Sequence, residues 1–241
     1  MMTNKRINFW SSPRNISTAL MYSFAQREDT QVVDEPLYAH YLLHQSTKAN
    51  HPGRQDILAS QENDGKKVVA QMLTADFGKP NVLFKQMTHH LVALDNDFLA
   101  AMDNVLLIRN PRAILASFNK VVEKVTAEDI GLPQQHRLFK SLVAGGKRPA
   151  VLDAGRLLKD PRGVLQKLCA YLDVPWTDSM LQWPAGPRPE DGVWAPYWYA
   201  NVHTSTGFKP YEEKTYHLPV HLEEIAEDCQ IWYLELLKAA I

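Results

Sequence analysis

Short apolar runs alternate along this chain with longer stretches in which apolar residues recur at helical spacing. Residues 7–10, 31–33, 81–87, 105–108 and 150–153 read as strands. Residues 16–26, 37–45, 67–75, 95–102, 111–122, 133–143 and 161–172 read as helices. In the 161–172 stretch Val164, Leu165, Leu168 and Leu172 make one apolar stripe. The strand runs lack strict apolar–polar alternation, as expected where both faces of a sheet are covered. Strand-then-helix repetition predicts an α/β fold of three layers, a mostly parallel central sheet of about five strands with helices on both faces. Residues 49–54 read as a polar loop. The segment 173–216, rich in Pro, Gly and Trp, is expected to be irregular, and 222–241 closes as an amphipathic helix.

Bulk properties narrow the class. The chain has 241 residues, 45% of them hydrophobic, which suits a single domain over residues 1–241. Its 26 Lys+Arg against 27 Asp+Glu give no general attraction to nucleic acid or anionic membrane, so an anionic ligand must meet a local cluster of donors. Two cysteines, Cys169 and Cys229, are too few for a disulfide framework and read as buried thiols of a reducing compartment. The first residues lack the apolar core of a secretory signal, and no run reaches about 18 apolar residues. The expected location is the cytoplasm.

In α/β sheets ligands bind at the carboxyl ends of strands. After the first strand comes Ser11-Ser12-Pro13-Arg14-Asn15-Ile16-Ser17-Thr18, where hydroxyls, a cation and free backbone N–H groups meet at a helix start. Such a loop is either a phosphate cradle or a polar helix cap. After the fourth strand come Arg109, then Asn110 as helix cap and Pro111 as first helical residue, with Ser117 about two turns on. Asp160-Pro161 repeats that cap logic, but its acidic cap repels anions and reads as structural. The G-x-x-x-x-G-K-[ST] spacing is absent. Asp34-Glu35-Pro36 and Thr88-His89-His90 follow the second and third strands. Pro36 bars Glu35 from a helical backbone, so Glu35 is expected to be extended, with Asp34 pointing to the opposite face. Alternation likewise puts Lys85, Met87 and His89 on one face and His90 on the other. Lys85 either supplements Arg14 or snorkels from a sheet edge. The aromatic run Trp194–Tyr199 either walls a pocket or packs a loop on the core.

These pieces together resemble the sulfotransferase superfamily. Pro13-Arg14-Asn15-x-Ser17-Thr18 is similar to its 5′-phosphosulfate loop, and Arg109-x-Pro111-x5-Ser117 has the spacing of its 3′-phosphate motif. Val151-Leu152-Asp153, Leu158-x-Asp160-Pro161 and Leu168-Cys169-x-x-Leu172 resemble the block downstream. The likeness covers roughly residues 5 to 175. It implies a P-loop NTPase-like fold without Walker A lysine or metal, and 3′-phosphoadenosine 5′-phosphosulfate (PAPS) as donor, leaving 3′,5′-diphosphoadenosine (PAP). By this resemblance Ser12, Pro13, Arg14, Asn15, Ser17, Thr18, Arg109 and Ser117 bind the donor, and Arg14 also stabilises the leaving group. Asp34-Glu35-Pro36 resembles the Glu-Pro step of carbohydrate-type members, whose Glu is the base. Thr88-His89 resembles the Thr-His of cytosolic members, whose His is the base, although Lys85 lies further before Thr88 than in those members. Glu35 is preferred to His89. Ile16 stands where the family commonly has glycine, a position that cannot take positive φ cheaply. The acceptor is expected to be a small molecule bearing a hydroxyl or amine. The competing classes are a small-molecule kinase, which lacks its lysine here, and a non-catalytic nucleotide-binding protein.

Overall fold

A computed structural model of the protein describes residues 4–45, 51–118 and 125–241. Five strands, β1 Lys5–Ser11, β2 Thr30–Asp34, β3 Asn81–Met87, β4 Asp103–Ile108 and β5 Ala150–Asp153, follow one another with helices between them. They form one sheet in the order β2-β3-β1-β4-β5. The chain thus fills one side of β1 first and then the other. The expected α/β class and strand count both hold. The contacts divide the chain into two compact units.

One unit comprises the chain up to Phe9, Thr18–Asp103 and Thr177–Phe208. Here β2 and β3 pair in parallel, with Asp34 beside Lys85 at the end of the register. Every β3 residue before Met87 is buried, which is why its sequence reads as one apolar run interrupted by Lys85 and Gln86. The helix Ser17–Ala25, shared with the other unit at its first residue, buries Leu20, Met21, Tyr22 and Phe24. A second core joins Tyr38, Ala39 and Leu42 of helix Tyr38–His44 to Ile57, Trp194, Ala195 and Tyr199. Ile57 belongs to a helix, Arg54–Ser60, that the sequence did not disclose: it buries that residue alone and so shows no stripe. The helix Gly65–Thr74 starts on an Asp64 cap whose carboxylate accepts from the backbone N–H of Lys66 and Lys67. The helix expected over 95–102 is a short 3-10 turn, Asp97–Ala101, whose Phe98 and Leu99 face the core. The segment expected to be irregular holds a 3-10 turn, Asp178–Leu181, and two short helices, Ala195–Trp198 and Ala200–His203.

The other unit comprises Trp10–Ser17, Asn104–Trp176 and Lys209–Ile241. In it β4 and β5 pair in parallel, Ile108 against Asp153. Asp153 then caps a helix, Ala154–Lys159, which is too short to show a period. Asp160 caps Pro161–Tyr171 as expected, accepting from Gly163 N–H at 2.9 Å. The helix expected over 111–122 is seen as Pro111–Phe118; its remaining positions, and residues 49 and 50 of the expected loop, lie outside the described residues. The last helix, Val220–Leu237, buries Leu222, Ala226, Cys229, Tyr233 and Leu236, a stripe at helical spacing. Cys169 and Cys229 are buried and form no disulfide among the described residues, and burial pushes the Cys229 thiol up to about 12. Among the described residues no helix is long and apolar enough to cross a membrane.

Leu168 is fully buried and Ile231 is 61% exposed. Leu168→Ala should therefore cost about 2–5 kcal/mol by cavity formation, and Ile231→Ala less than about 0.5 kcal/mol. Urea unfolding midpoints of the two variants give the comparison.

Candidate active site

The loop after β1 is built from its own turn and from β4. Ser11 and Ser12 end the strand buried, and Arg14 follows with φ 57°, a left-handed backbone. Asn15 fixes the next step twice over. Its Oδ1 accepts from the Ile16 N–H at 2.9 Å, and its Nδ2 donates to the Leu107 carbonyl at 3.0 Å. Gln135, from the helix Leu132–Ala144, donates to the carbonyls of Trp10 and Leu107 and so ties the loop's origin to β4. Gly131, with φ 75°, lets that helix approach: a Cβ there would lie 3.1 Å from the Ser12 Cβ. The glycine-like conformation is therefore taken by Arg14. Ile16 is not among the described residues with positive φ, so an isoleucine there meets no backbone penalty.

Arg14 Nε donates to Ser117 Oγ at 3.0 Å, and Arg109 Nη1 donates to the Arg14 carbonyl. Ser117 lies on Pro111–Phe118, whose first turn is capped by Asn110 through the N–H groups of Arg112 and Ala113. Arg112 is neutralised by Glu223. Arg14 and Arg109 have no carboxylate partner among the described residues. Burial, and then the Arg109 charge, lower the pKa of Arg14. Two guanidiniums held together without a counter-charge, where a helix begins at Ser17, form a site whose field favours a polyanion. Ser12 Oγ is buried there without a hydrogen-bond partner among the described residues. Pro13 and Asn15 shape the loop, and Ser17 and Thr18 open the helix.

The second group of charges centres on Lys85, which is fully buried in β3. Its ammonium donates to Asp34 Oδ1 at 2.9 Å, to Tyr199 OH at 2.7 Å and to Glu35 Oε1. The three donors of an ammonium are thereby used. Tyr199 OH donates to Asp34 Oδ2 at 2.6 Å and accepts from Trp194 Nε1 at 3.0 Å, and the Gly192 N–H also reaches Asp34. Burial works against the Lys85 charge, but Asp34 and Glu35 outweigh it and raise the pKa. Glu35, whose carboxylate the sequence reading expects to be open to the cleft, is instead buried in this ion pair. Its own burial, reinforced by Asp34 and opposed by Lys85, holds its carboxyl above the usual range.

Three expectations are corrected here. Glu35 is not extended: Pro36 denies it the right-handed helical region, and it takes a left-handed conformation, φ 40°. Its N–H donates to the Lys85 carbonyl and its own carbonyl receives Tyr38 N–H, which closes the turn. Strand alternation stops at that turn, so Asp34 and Glu35 reach the same ammonium instead of opposite faces. Lys85 is neither a snorkelling edge residue nor a free cation, being committed to both carboxylates. Thirdly, alternation also stops after Met87, because Thr88–His90 is a 3-10 turn. His90 is the fully buried ring, with Nε2 3.8 Å from Glu35 Oε2, while His89 is half-buried and lies edge-on to Tyr41 at 4.8 Å.

The aromatic run belongs mainly to the core. Trp194 packs edge-on to Tyr38, and the exposed Tyr197 lies over Gly53. Tyr199, Gln135 and His90 carried no motif; only their burial gives them weight. Among the described residues no group of three or more His, Cys, Asp or Glu could hold a metal ion.

Removing Lys85 leaves two buried carboxylates uncompensated. Lys85→Met should cost about 3–5 kcal/mol, and adding Asp34→Asn and Glu35→Gln should recover more than half of that loss. Chemical denaturation of the single and triple variants gives the two figures.

A family model described as "Sulfotransferase domain" matches residues 5–225. Two Arabidopsis thaliana proteins named branched-chain-amino-acid aminotransferase-like protein 2 and protein 1 are 39% and 45% identical over 224 and 203 residues. Those alignments take in 92% and 84% of this chain but only 40% and 36% of the relatives, so the chain spans about two fifths of their length. Among solved structures, the sulfotransferase domain from the curacin biosynthetic pathway superimposes with a TM-score of 0.60, covering 95% of this chain and 97% of that one at 17% identity. The sulfotransferase domain of the Synechococcus PCC 7002 olefin synthase gives 0.55, with 94% of each chain covered at 18% identity. At such identity these two report the fold alone. By the family match over nearly its whole length, the chain belongs to the sulfotransferase family.

Proposed function

We propose that the chain moves a sulfuryl group from PAPS to a hydroxyl or amine of a small-molecule acceptor, releasing PAP. The observation that carries this reading is the pair of guanidiniums, Arg14 and Arg109, held together with no carboxylate partner among the described residues. In this reading Arg109 and Ser117 take the 3′-phosphate. Ser12, Pro13, Arg14, Asn15, Ser17 and Thr18 form the loop for the 5′-phosphosulfate. The Arg14–Ser117 hydrogen bond links the two sets, so filling one orders the other. The bond from sulfur to the bridging phosphate oxygen breaks as one forms to the acceptor, and charge builds on the leaving phosphate. Arg14 supplies a fixed cation for that charge.

The acceptor's proton needs a base. We assign it to Glu35 rather than His89. Lys85 is balanced by Asp34, whose second oxygen is held by Tyr199 and Gly192, so Glu35 is the carboxylate in excess. Burial raises its affinity for a proton. For His89 burial works the other way, pushing the imidazole down to about 3. The reading as a non-catalytic binding protein drew on Ile16, and that argument lapses with the left-handed residue being Arg14.

PAP at a hundred times its dissociation constant should stabilise the fold by about 2.7 kcal/mol, a shift of several degrees in melting temperature. ADP, without the 3′-phosphate, should shift it less. Equal shifts remove Arg109 and Ser117 from the site, and a larger shift from ATP with magnesium points to a kinase.

Arg14→Ala should lower kcat by more than it raises the Kd for PAP, with about 2.7–4 kcal/mol lost from the barrier. Single-turnover transfer of labelled sulfate, read beside PAP titration, separates the two. A variant with wild-type kcat and only a raised KM makes Arg14 a ground-state anchor.

A further inference from the structure

The imidazole of His90 has no solvent exposure, and neither ring nitrogen has a hydrogen-bond partner among the described residues. A buried polar atom left unpaired costs about 1–3 kcal/mol, so two on one ring call for a reason. The ring is held by its faces: it lies against Tyr38 at 5.0 Å and against Tyr41 at 4.9 Å, both nearly parallel to it. No polar clamp fixes its rotation in plane. The nearest charged atom able to accept a proton from it is Glu35 Oε2, 3.8 Å from Nε2. That distance is within a small ring movement of a hydrogen bond.

The other groups facing the ring are accounted for. Lys85, from β3, is bound to Asp34, Glu35 and Tyr199. His40 is engaged through both nitrogens, with Val92 O and Gly65 N–H, and His51 Nδ1 with Tyr38 OH. Tyr38 and Tyr41 present ring faces, and His89, on the same turn, lies edge-on to His90 at 4.7 Å. Among the described residues Glu35 is the one acid in contact with the ring. Charge counting leads to the same pair. One ammonium and two carboxylates leave one negative charge over, and a proton on either Glu35 or His90 makes the buried group neutral.

We propose that Glu35 and His90 share that proton in a hydrogen-bonded relay: Glu35 Oε2 takes it from the acceptor and donates it in a hydrogen bond to Nε2 of a His90 ring that stays neutral. The acceptor's O–H or N–H bond breaks and an O–H bond forms on Glu35; burial, and then the neighbouring His89 and Lys85, disfavour a charged ring, so the proton stays on the carboxyl. His90 is on this account a positioning residue for the base, acting through Glu35 without touching the acceptor. The proposal rests on Glu35 being the base.

The test uses the full chain labelled with [15N]histidine. The ring-nitrogen shifts of His90 are followed against pH, with no turnover required. Glu35→Gln removes the acid in contact with the ring and should move the His90 protonation step to lower pH by at least about one unit, a tenfold loss of proton affinity. An unmoved step overturns the pairing, even if Glu35 remains essential for transfer. In turnover, His90→Phe keeps an aromatic ring beside the tyrosines and loses both nitrogens. It should lower kcat about tenfold or more, shift the acid limb of the kcat profile and leave the PAP-induced melting shift intact. A wild-type profile in that variant overturns the relay. Full activity in Glu35→Gln overturns the assignment of the base itself, a separate result from the nitrogen shifts. Should His90→Phe not fold, the shifts of wild-type and Glu35→Gln protein decide the matter.

Discussion

A lysine in the middle of a sheet strand, with no route to water, needs compensation wherever the chain can bring it. In this protein Lys85 draws Asp34 from the neighbouring strand, Glu35 from the turn beyond it and Tyr199 from more than a hundred residues downstream. Each contact constrains an element. The parallel register of β2 and β3 sets Asp34 beside Lys85, the left-handed Glu35 ends β2, and Tyr199 anchors the aromatic segment to the core of its unit. A buried ion pair adds little net stability against an apolar replacement, but losing one partner is expensive. The same group that fixes these elements leaves one carboxylate over, and the chemistry proposed for Glu35 begins from that surplus.

The loop after β1 poses the opposite electrostatic problem. Lys85 has a carboxylate to spare, whereas Arg14 and Arg109 have none among the described residues, and burial and then the Arg109 charge lower the pKa of Arg14. What holds them together is neutral hydrogen bonding: the Arg14 carbonyl, Ser117 Oγ, the two-sided Asn15 and the Gln135 amide. Such a scaffold keeps cations in place before any anion arrives, so binding does not have to meet the cost of gathering them. Sulfuryl transfer asks for fixed charge of this kind, because little covalent work is left to the protein.

Much of this was legible in the sequence. β3 and β5 read to the residue, because buried apolar runs end at polar or turn-forming neighbours. The Asn110 and Asp160 caps follow from side-chain chemistry that acts over three residues. Arg14, Arg109 and Ser117, singled out by their spacing, are joined by hydrogen bonds. The failures share a cause. Glu35 and His90 lie one and three residues past their strands, where alternation no longer holds, and the direction of a side chain there depends on a single φ or on a 3-10 turn. The partners of Lys85 could not be read either, since pairing across distant segments leaves no periodic trace. The helix Arg54–Ser60 escaped because one buried residue makes no stripe.

Arg14 shows how a folding cost and the function proposed for the loop fall on one position. A non-glycine residue in the left-handed region carries strain of about 1–3 kcal/mol, and glycine in its place relieves most of it. Substitutions chosen for thermal stability alone will therefore favour glycine at 14, and each one discards the guanidinium. The loop marks a place where selection for robustness and selection for turnover pull in opposite directions. A chain found to carry glycine there will have kept the fold of its family while giving up the cation that the loop is shaped to present.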